Sequence, residues 1–440
     1  MKKRIASLLL CFLLFAQAAP AASAVSFPDV PKDYWAYSEI TEMADRGVIQ
    51  GNGGKFYPTG DVSRQAFLSM VCRATGLDDR DLEPGANWWQ PSQAFAHYFN
   101  WCSEEELNEK NRSEPITREL AAKLLVKAFF PDRVTDSGTL SFRDGADIGS
   151  DYRSYVKTAA ELGLIGGYAD GTFRPKATLT RAAAAVLISR ALAMKAQPLG
   201  ETVQVPILMY HDISYLGYGY SKTPEVFRKQ MEELKSAGFT TVFFSQVIDF
   251  VERGTPLPSK PIVITFDDGY LTNYTYVLPL LQELDMKAEI SLIGGAMEYT
   301  DWGMKWTQVQ EMQASGLVHF QAHTTALHDA PGRTGVLKKT EESWTDYVQL
   351  FAEDTRNIRG VLAYRTGVEP QVFTYPLGKH NPMTEAIIRQ MGFRASLTTL
   401  DGVAEVTRGD AESLYLMRRI GMDFRNGSVL PLLKQFGYKG

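Results

Sequence analysis

The sequence is poor in cysteine, with three in 440 residues, and poor in histidine, with six. Cys11 falls inside an apolar N-terminal run, so only Cys72 and Cys102 remain beyond it. Two cysteines do not build a disulfide scaffold, and the sequence alone does not say whether they meet. After the N-terminal run, no apolar stretch is long enough to span a bilayer. An excess of basic charge is missing too. A formal net charge of -5 gives no reason to expect a nucleic-acid partner.

What is present begins with an address. Lys2, Lys3 and Arg4 precede "IASLLLCFLLFAQAA", and Ala22 and Ala24 offer small residues for cleavage. This pattern predicts a secretory signal over residues 1–24, cut after Ala24, and hence an exported protein without a stable membrane span. More apolar residues follow Cys11, which argues against a lipid-modified cysteine. The length suggests two or three domains.

The first half contains a repeat. Phe27-x-Asp29 recurs as Phe142-x-Asp144, Gly47-x-Ile49 as Gly163-x-Ile165, and Phe56-x-Pro58 as Phe173-x-Pro175. Each copy then reaches a hydroxyl followed by arginine, Ser63-Arg64 and Thr180-Arg181, where the hydroxyl suits a helix N-cap. Between them, "EPITRELAAKLLVKAF" repeats only the last part, with Thr117-Arg118, after a divergent first helix in "NWWQPSQAFAHYFNWCSEE". Helix pairs recurring about every fifty residues indicate an array, because one such pair does not bury its apolar face alone.

These motifs resemble the S-layer homology domain. The resemblance implies an all-α repeat domain with repeats at 27–76, 87–131 (divergent) and 142–193, packed about a pseudo-threefold axis. It also implies binding to anionic secondary cell-wall polysaccharide, with Arg64, Arg118 and Arg181 at the family's Thr-Arg-Ala-Glu position. Only "TREL" keeps the acid, as Glu119; "SRQA" and "TRAA" lack it. The competing reading is that these arginines close contacts between repeats. Residues 194–204, "MKAQPLGETVQ", read as a linker.

From Val205 the pattern alternates strand and helix to the end of the chain. "VPILMYH", "TTVFF", "KPIVITFDD", "AEISLIG", "LVHFQAH", "QVFTYP" and "RASLTTL" read as strands, with helical stretches between most of them. Such alternation argues for a parallel sheet closed, or nearly closed, into a barrel, whose chemistry sits where strands pass into loops. At those ends stand His211 and Asp212, Asp267 and Asp268, His323, His328, and Pro376-Leu377-Gly378. One carboxylate and two imidazoles make a ligand set for a divalent metal that keeps positions open for water and substrate. His323 and His328 are five apart, a spacing that neither a helix nor a strand brings to one face, so a loop is required. His319 lies about 13 Å along the strand from His323, too far for the same ion. His97 and His380 read as bystanders.

With these residues in view, the region from about Val205 to Asp423, within a domain expected at 205–440, resembles the NodB-like polysaccharide deacetylases, and within them the poly-N-acetylglucosamine deacetylases. The resemblance implies a distorted (β/α) barrel. "TFDDG" is similar to the family's first motif, which makes Asp267 the base and Asp268 a metal ligand; "HTTALH" supplies the ligands His323 and His328. "LMYHD" stands ahead of the first motif, and the C-terminal "LYLMRRIGMD" lacks the usual histidine, so the permuted order makes His211 the general acid. The family's Arg-x-Pro-Tyr-Gly becomes "TYPLG", which leaves the oxyanion to the backbone N–H of Leu377 and requires another cation, Arg418 or Arg419, to steady the base.

The activity implied is hydrolysis of the carbon-nitrogen bond of N-acetyl groups on an N-acetylglucosamine-containing glycan. It would need a divalent metal, zinc ahead of cobalt or nickel, on an enzyme tethered at the cell surface. Two other readings remain at this point: a glycan-binding surface protein with a decayed site, and an O-acetyl esterase.

Overall fold

A computed structural model describes residues 25–440 apart from 81, 84 and 135–139, so the expected signal lies outside the described residues. The first part contains α1 (Tyr37–Asp45), α2 (Arg64–Ala74), α3 (Gln90–Tyr98), α4 (Arg118–Phe129), α5 (Arg153–Glu161) and α6 (Arg181–Lys195). The hydroxyls of Ser63, Thr117 and Thr180 accept hydrogen bonds from the backbone N–H groups of Ala66, Leu120 and Ala183, which fixes the starts of α2, α4 and α6.

The repeated Phe-x-Asp and Phe-x-Pro signals explain each other. Asp29 accepts from the N–H groups of Phe56 (2.9 Å) and Tyr57 (2.7 Å), and Asp144 from those of Phe173 and Arg174, both at 2.7 Å. Phe27 packs on Phe56 and Phe142 on Phe173, at centroid separations of 5.4 and 5.2 Å. Glycine is required beside each pair, because a Cβ on Gly51 or Gly167 would come within 2.6 or 2.7 Å of the first phenylalanine.

The all-α expectation needs one amendment. Isolated β-bridges join Asp61 to Thr180, Ser63 to Pro115 and Thr117 to Thr178, so the segments that lead into the second helices also pair with one another.

The second part contains β1 (Thr202–Val205), β2 (Ile207–Tyr210), β3 (Asp212–Ile213), β4 (Ser221–Lys222), α7 (Pro224–Ser236), β5 (Thr240–Thr241), α8 (Phe244–Arg253), β6 (Pro261–Asp268), α9 (Leu278–Leu284), β7 (Ala288–Leu292), α10 (Trp306–Ala314) and β8 (Val318–Ala322). It continues with α11 (Trp344–Thr366), β9 (Val372–Thr374), α12 (Pro382–Gln390), β10 (Ala395–Leu397), β11 (Ala404–Thr407), β12 (Ile420–Gly421) and α13 (Val429–Gln435). The main sheet is parallel, in the order β10-β9-β8-β7-β6-β2-β12, with β5 beside β6.

The sheet curls. Met417 bridges Leu397 of β10, and three residues later β12 pairs with β2, so one short segment touches both margins. This is a curled parallel half-barrel, consistent with the expected barrel architecture. Two local expectations change. "TTVFF" forms a strand only at its first two residues, because Phe244 opens α8 and the Gln246 side chain accepts from the Phe243 N–H. The segment read as a linker ends inside β1, which pairs antiparallel with β11. Among the described residues no helix is long and apolar enough to cross a membrane. Cys72 and Cys102 are buried free thiols.

Candidate active site and metal centre

β6 is buried along its whole length and ends in Asp267 and Asp268. Strand alternation would send these neighbours to opposite faces. Instead, Asp268 turns into the left-handed region at φ 73° and Gly269 follows at φ 89°. A Cβ on Gly269 would lie 2.4 Å from Leu292 Cδ2, so the bend needs glycine there. The turn frees the two carboxylates from the strand's alternation.

Asp268 Oδ1 lies 3.5 Å from Nε2 of His323 and 3.5 Å from Nε2 of His328. That oxygen is buried and accepts no hydrogen bond. Leaving an ionised oxygen unpartnered inside a protein is costly, and the donor atoms of these three residues fall within 4.8 Å of one another. The set suits a divalent cation that takes imidazole and carboxylate ligands. Nδ1 of His323 donates to the Thr374 carbonyl at 2.7 Å, which turns Nε2 toward the carboxylate. Burial holds the His323 pKa below the usual imidazole range, in the neutral form a ligand needs.

The loop between the two histidines is shaped from outside. Asp354, on α11, accepts from the Thr325 and Ala326 N–H groups, both at 2.8 Å, and its carbonyl accepts from the Thr325 hydroxyl at 2.8 Å. These bonds bend the chain after β8 so that His328 returns toward Asp268. Nothing near the histidines in sequence announces Asp354.

Asp267 is held differently. Both of its oxygens accept from Arg419, at 2.8 Å from Nη1 and 2.7 Å from Nη2, and both residues are almost wholly buried. Burial alone would raise the carboxyl pKa, but the guanidinium's charge and hydrogen bonds hold it well below the usual carboxylate range. Of the two arginines the sequence offered, Arg419 therefore takes this place. Arg418 faces away and donates to the Asp401 carbonyl at 3.3 Å. Thr374 is buried against Ser291, their hydroxyl oxygens 2.7 Å apart.

His211 follows β2, whose register pairs Tyr210 with Phe266 and so brings His211 alongside Asp267. Its Nδ1 lies 2.7 Å from Asp423 Oδ2, and its carbonyl accepts from the Asn273 side chain at 3.0 Å. Burial opposes a charge here, yet the hydrogen bond that Nδ1 donates to Asp423 and the nearby carboxylates Asp267 and Asp268 raise the pKa to about 9. The adjacent Asp212 is not the partner of this histidine. Asp212 instead accepts from Ser214, from Ser221 (2.6 Å) and from Thr272 (2.6 Å). Leu377 sits at φ 57° with its side chain exposed. His319 stacks on Phe243 at 3.6 Å, His97 lies 2.9 Å from the Leu107 carbonyl, and His380 is beside Tyr375; none joins the triad.

The three repeat arginines stand at the first positions of α2, α4 and α6. Arg118 donates to the carbonyls of Phe173 (2.9 Å) and Gly166 (2.7 Å), and Arg181 to those of Phe56 (2.8 Å) and Gln50 (2.7 Å). Arg64 donates to the Glu106 carbonyl at 2.8 Å and pairs with Glu114 at 2.8 Å. Each arginine thus reaches from its own repeat into the next, and the third returns to the first. Nη1 of Arg118 and of Arg181 takes no partner among the described hydrogen bonds.

Residues 254–396 match the polysaccharide deacetylase family, and residues 26–68 and 141–185 match the S-layer homology domain. The chain carries a polysaccharide deacetylase domain together with S-layer homology domains, which mark an exported, wall-associated protein of the cell surface. Poly-beta-1,6-N-acetyl-D-glucosamine N-deacetylase of Escherichia coli (strain K12) is 27% identical over 212 residues, 42% of this chain and 32% of that protein. An S-layer protein of Bacillus thuringiensis subsp. finitimus is 28% identical over 201 residues, 43% of this chain and 24% of that protein. This chain therefore spans less than a third of either relative's length on the matched segments. A solved de-N-acetylase from Aggregatibacter actinomycetemcomitans superposes with a TM-score of 0.47 and 22% identity, covering 53% of this chain and 100% of that one.

Proposed function

We propose that this protein is a wall-tethered, metal-dependent deacetylase that hydrolyses N-acetyl groups of an N-acetylglucosamine-containing polysaccharide. In this reading, residues 27–193 tether the chain and residues 205–440 carry the reaction. The observation that carries it is the buried, unpartnered Asp268 Oδ1 between two imidazole nitrogens, with a second carboxylate held by Arg419 and a histidine paired with Asp423 beside it. The named activity of the Escherichia coli relative supports the choice of glycan.

Asp268, His323 and His328 would hold a divalent cation, zinc ahead of cobalt or nickel. A cation there supplies polarisation of the amide carbonyl and acidification of water. Asp267 accepts the proton of the attacking water. Arg419 keeps that carboxylate ionised and fixed in direction, the place for which Thr374 lacks a charge. The Leu377 N–H donates to the oxygen on which negative charge develops. His211, protonated at neutral pH and oriented by Asp423, gives its proton to the departing sugar nitrogen, so that acetate and a free amine result. The pairing of Arg419 with Asp267 also weakens the decayed-site reading, since the cation missing from "TYPLG" is supplied from elsewhere in the chain.

On the wall side, Arg118 and Arg181 would offer Nη1 to an anionic polysaccharide while their other nitrogens hold the ring of repeats. Arg64, engaged by Glu114, would bind differently from the other two.

The test is acetate release from N-acetylated and O-acetylated glycans, after chelation and after restoring zinc, cobalt or nickel. Release from N-acetylated substrate that chelation abolishes and metal restores is expected. Release from O-acetyl esters alone would transfer the site to esterase chemistry, and release unaffected by chelation would remove the metal from it.

A further inference from the structure

Beside the candidate centre lies a groove of about 390 Å³ that the mechanism above does not use. One wall is a continuous run of aromatic rings. Tyr218 stacks on Tyr220 at 5.6 Å, Tyr220 on Tyr270 at 5.8 Å, and Tyr270 meets Trp302 at 4.9 Å. Tyr218, Tyr220 and Trp302 are exposed, so the run is not core that happens to reach the surface. Asp301 stands in the same groove, exposed, with no hydrogen bond or ion pair among the described residues.

The groove is built rather than incidental. Asp212 ties the loop that carries Tyr218 and Tyr220 to Thr272 through the hydroxyls of Ser214, Ser221 and Thr272. On the other side Tyr270 bridges Gly303, and the Leu271 N–H donates to the Trp302 carbonyl at 2.6 Å. Two residues of its lining are chain neighbours of the centre, since Asp212 follows His211 and Tyr270 follows the candidate ligand Asp268 by two residues. Exposed aromatic faces fixed in place lose little conformational entropy when a flat apolar surface covers them.

We propose that this groove is a subsite for a second sugar of the same glycan chain, one whose nitrogen is already a free amine. The apolar face of its pyranose ring lies on the aromatic run, and its ammonium pairs with Asp301. The assignment rests on the deacetylase reading, because that reaction generates the ammonium which an unpaired carboxylate beside the site would take. The ammonium is also attracted by the negative faces of the rings. The subsite makes the enzyme prefer chains that already carry amines next to the acetylated residue.

The experiment compares wild-type, Trp302→Ala, Trp302→Phe and Asp301→Asn full-length proteins on N-acetylglucosamine oligomers, fully acetylated and partly deacetylated. The ratio of kcat/KM for a tetramer to that for a monomer should fall roughly three- to tenfold in Trp302→Ala, the size of one aromatic contact. Trp302→Phe should recover most of it. Asp301→Asn should lower the preference for partly deacetylated tetramer over fully acetylated tetramer and leave the length preference in place. An unchanged length ratio in Trp302→Ala, or equal loss by Asp301→Asn on both tetramers, overturns the subsite.

Binding of glucosamine oligomers is followed in parallel by Trp fluorescence on wild type and by saturation-transfer NMR on all four proteins. If wild type releases no acetate from any glycan, the proposed reaction fails, and the binding measurement still decides the groove. Oligomer binding lost in Trp302→Ala upholds it, and binding indifferent to Trp302 and Asp301 removes it.

Discussion

The repeats and the barrel both carry arginines and carboxylates at motif positions, yet they use them in opposite ways. In the repeats, Arg118 and Arg181 each spend two nitrogens on backbone carbonyls of the neighbouring repeat, and Asp29 and Asp144 each accept from two backbone N–H groups. The recurring charges there are largely architecture. In the barrel, Arg419 also points inward, but its partner is a carboxylate at a strand end, and the next carboxylate is left with a buried oxygen unpaired. A recurrent charged motif therefore does not mark a site by itself. An unsatisfied one, held in place by satisfied neighbours, does.

The largest effects should come from separating the adjacent carboxylates. Asp268→Ala is expected to abolish both bound metal and acetate release, whereas Asp267→Asn keeps the metal and loses turnover. Metal analysis of the purified proteins beside an acetate assay reads both. Equal metal loss in the two variants would mean that the roles of the neighbours are misassigned.

Next in size is His211→Ala. It should retain metal and slow amide hydrolysis by roughly two to four powers of ten, the range for a lost general acid. An activated ester, whose leaving group needs no proton, should suffer far less. The linkage sign also follows. The folded-state pKa of about 9 lies above the ordinary imidazole value, so the pairing with Asp423 stabilises the fold fully below about pH 6.5 and is lost as pH rises through about 9. Asp423→Asn should flatten that part of the stability profile of the metal-free protein, and an unaltered profile would separate His211 from Asp423.

Asp354→Asn sharpens the comparison from within the barrel, because Asp354 behaves like the repeat aspartates, accepting backbone N–H groups, but does so behind a candidate ligand. Metal affinity should fall roughly ten- to a hundredfold, the usual consequence of loosening a ligand's support. Excess metal should restore activity. Lost activity with undiminished affinity would place its effect elsewhere.

What could be read in advance divides along physical lines. Residues that announce themselves at strand ends, such as Asp267, Asp268, His323 and His328, were legible because burial patterns locate the ends. Arg419 was legible only as one of a pair. A two-residue strand gives no phase by which to tell its inward neighbour from its outward one. Asp423, 212 residues from His211, had no local signal at all. Helix α11 had one that sequence reasoning did not use. Ser343 caps it, and Trp344, Tyr347, Val348, Phe351, Thr355, Ile358 and Leu362 recur at helical spacing along its buried face. The divergence of the second repeat also gains a structural context, since its α3 lies against α11. Arg356 donates to the Tyr98 hydroxyl there, and Trp344 to Glu83.

The smallest effect tests the architectural half of the comparison. Removing Arg181 deletes two charge-assisted hydrogen bonds to carbonyls across the junction of the third and first repeats, along with its stacking over Phe56 at 4.7 Å. A hydrogen bond to a charged group contributes about 2 kcal/mol, and partial exposure reduces the sum of two toward the same figure. For a region of this size that corresponds to a loss of roughly 4–8 °C in Tm. Arg181→Ala should therefore lower the first unfolding transition by calorimetry while leaving acetate release unchanged. Arg181→Lys should not restore it, because one ammonium does not reproduce a planar fork that reaches two carbonyls at once. If instead the transition stays in place and only sedimentation with purified wall polysaccharide is lost, the arginine belongs to the ligand rather than to the ring. The two halves of the molecule would then use their charged motifs alike.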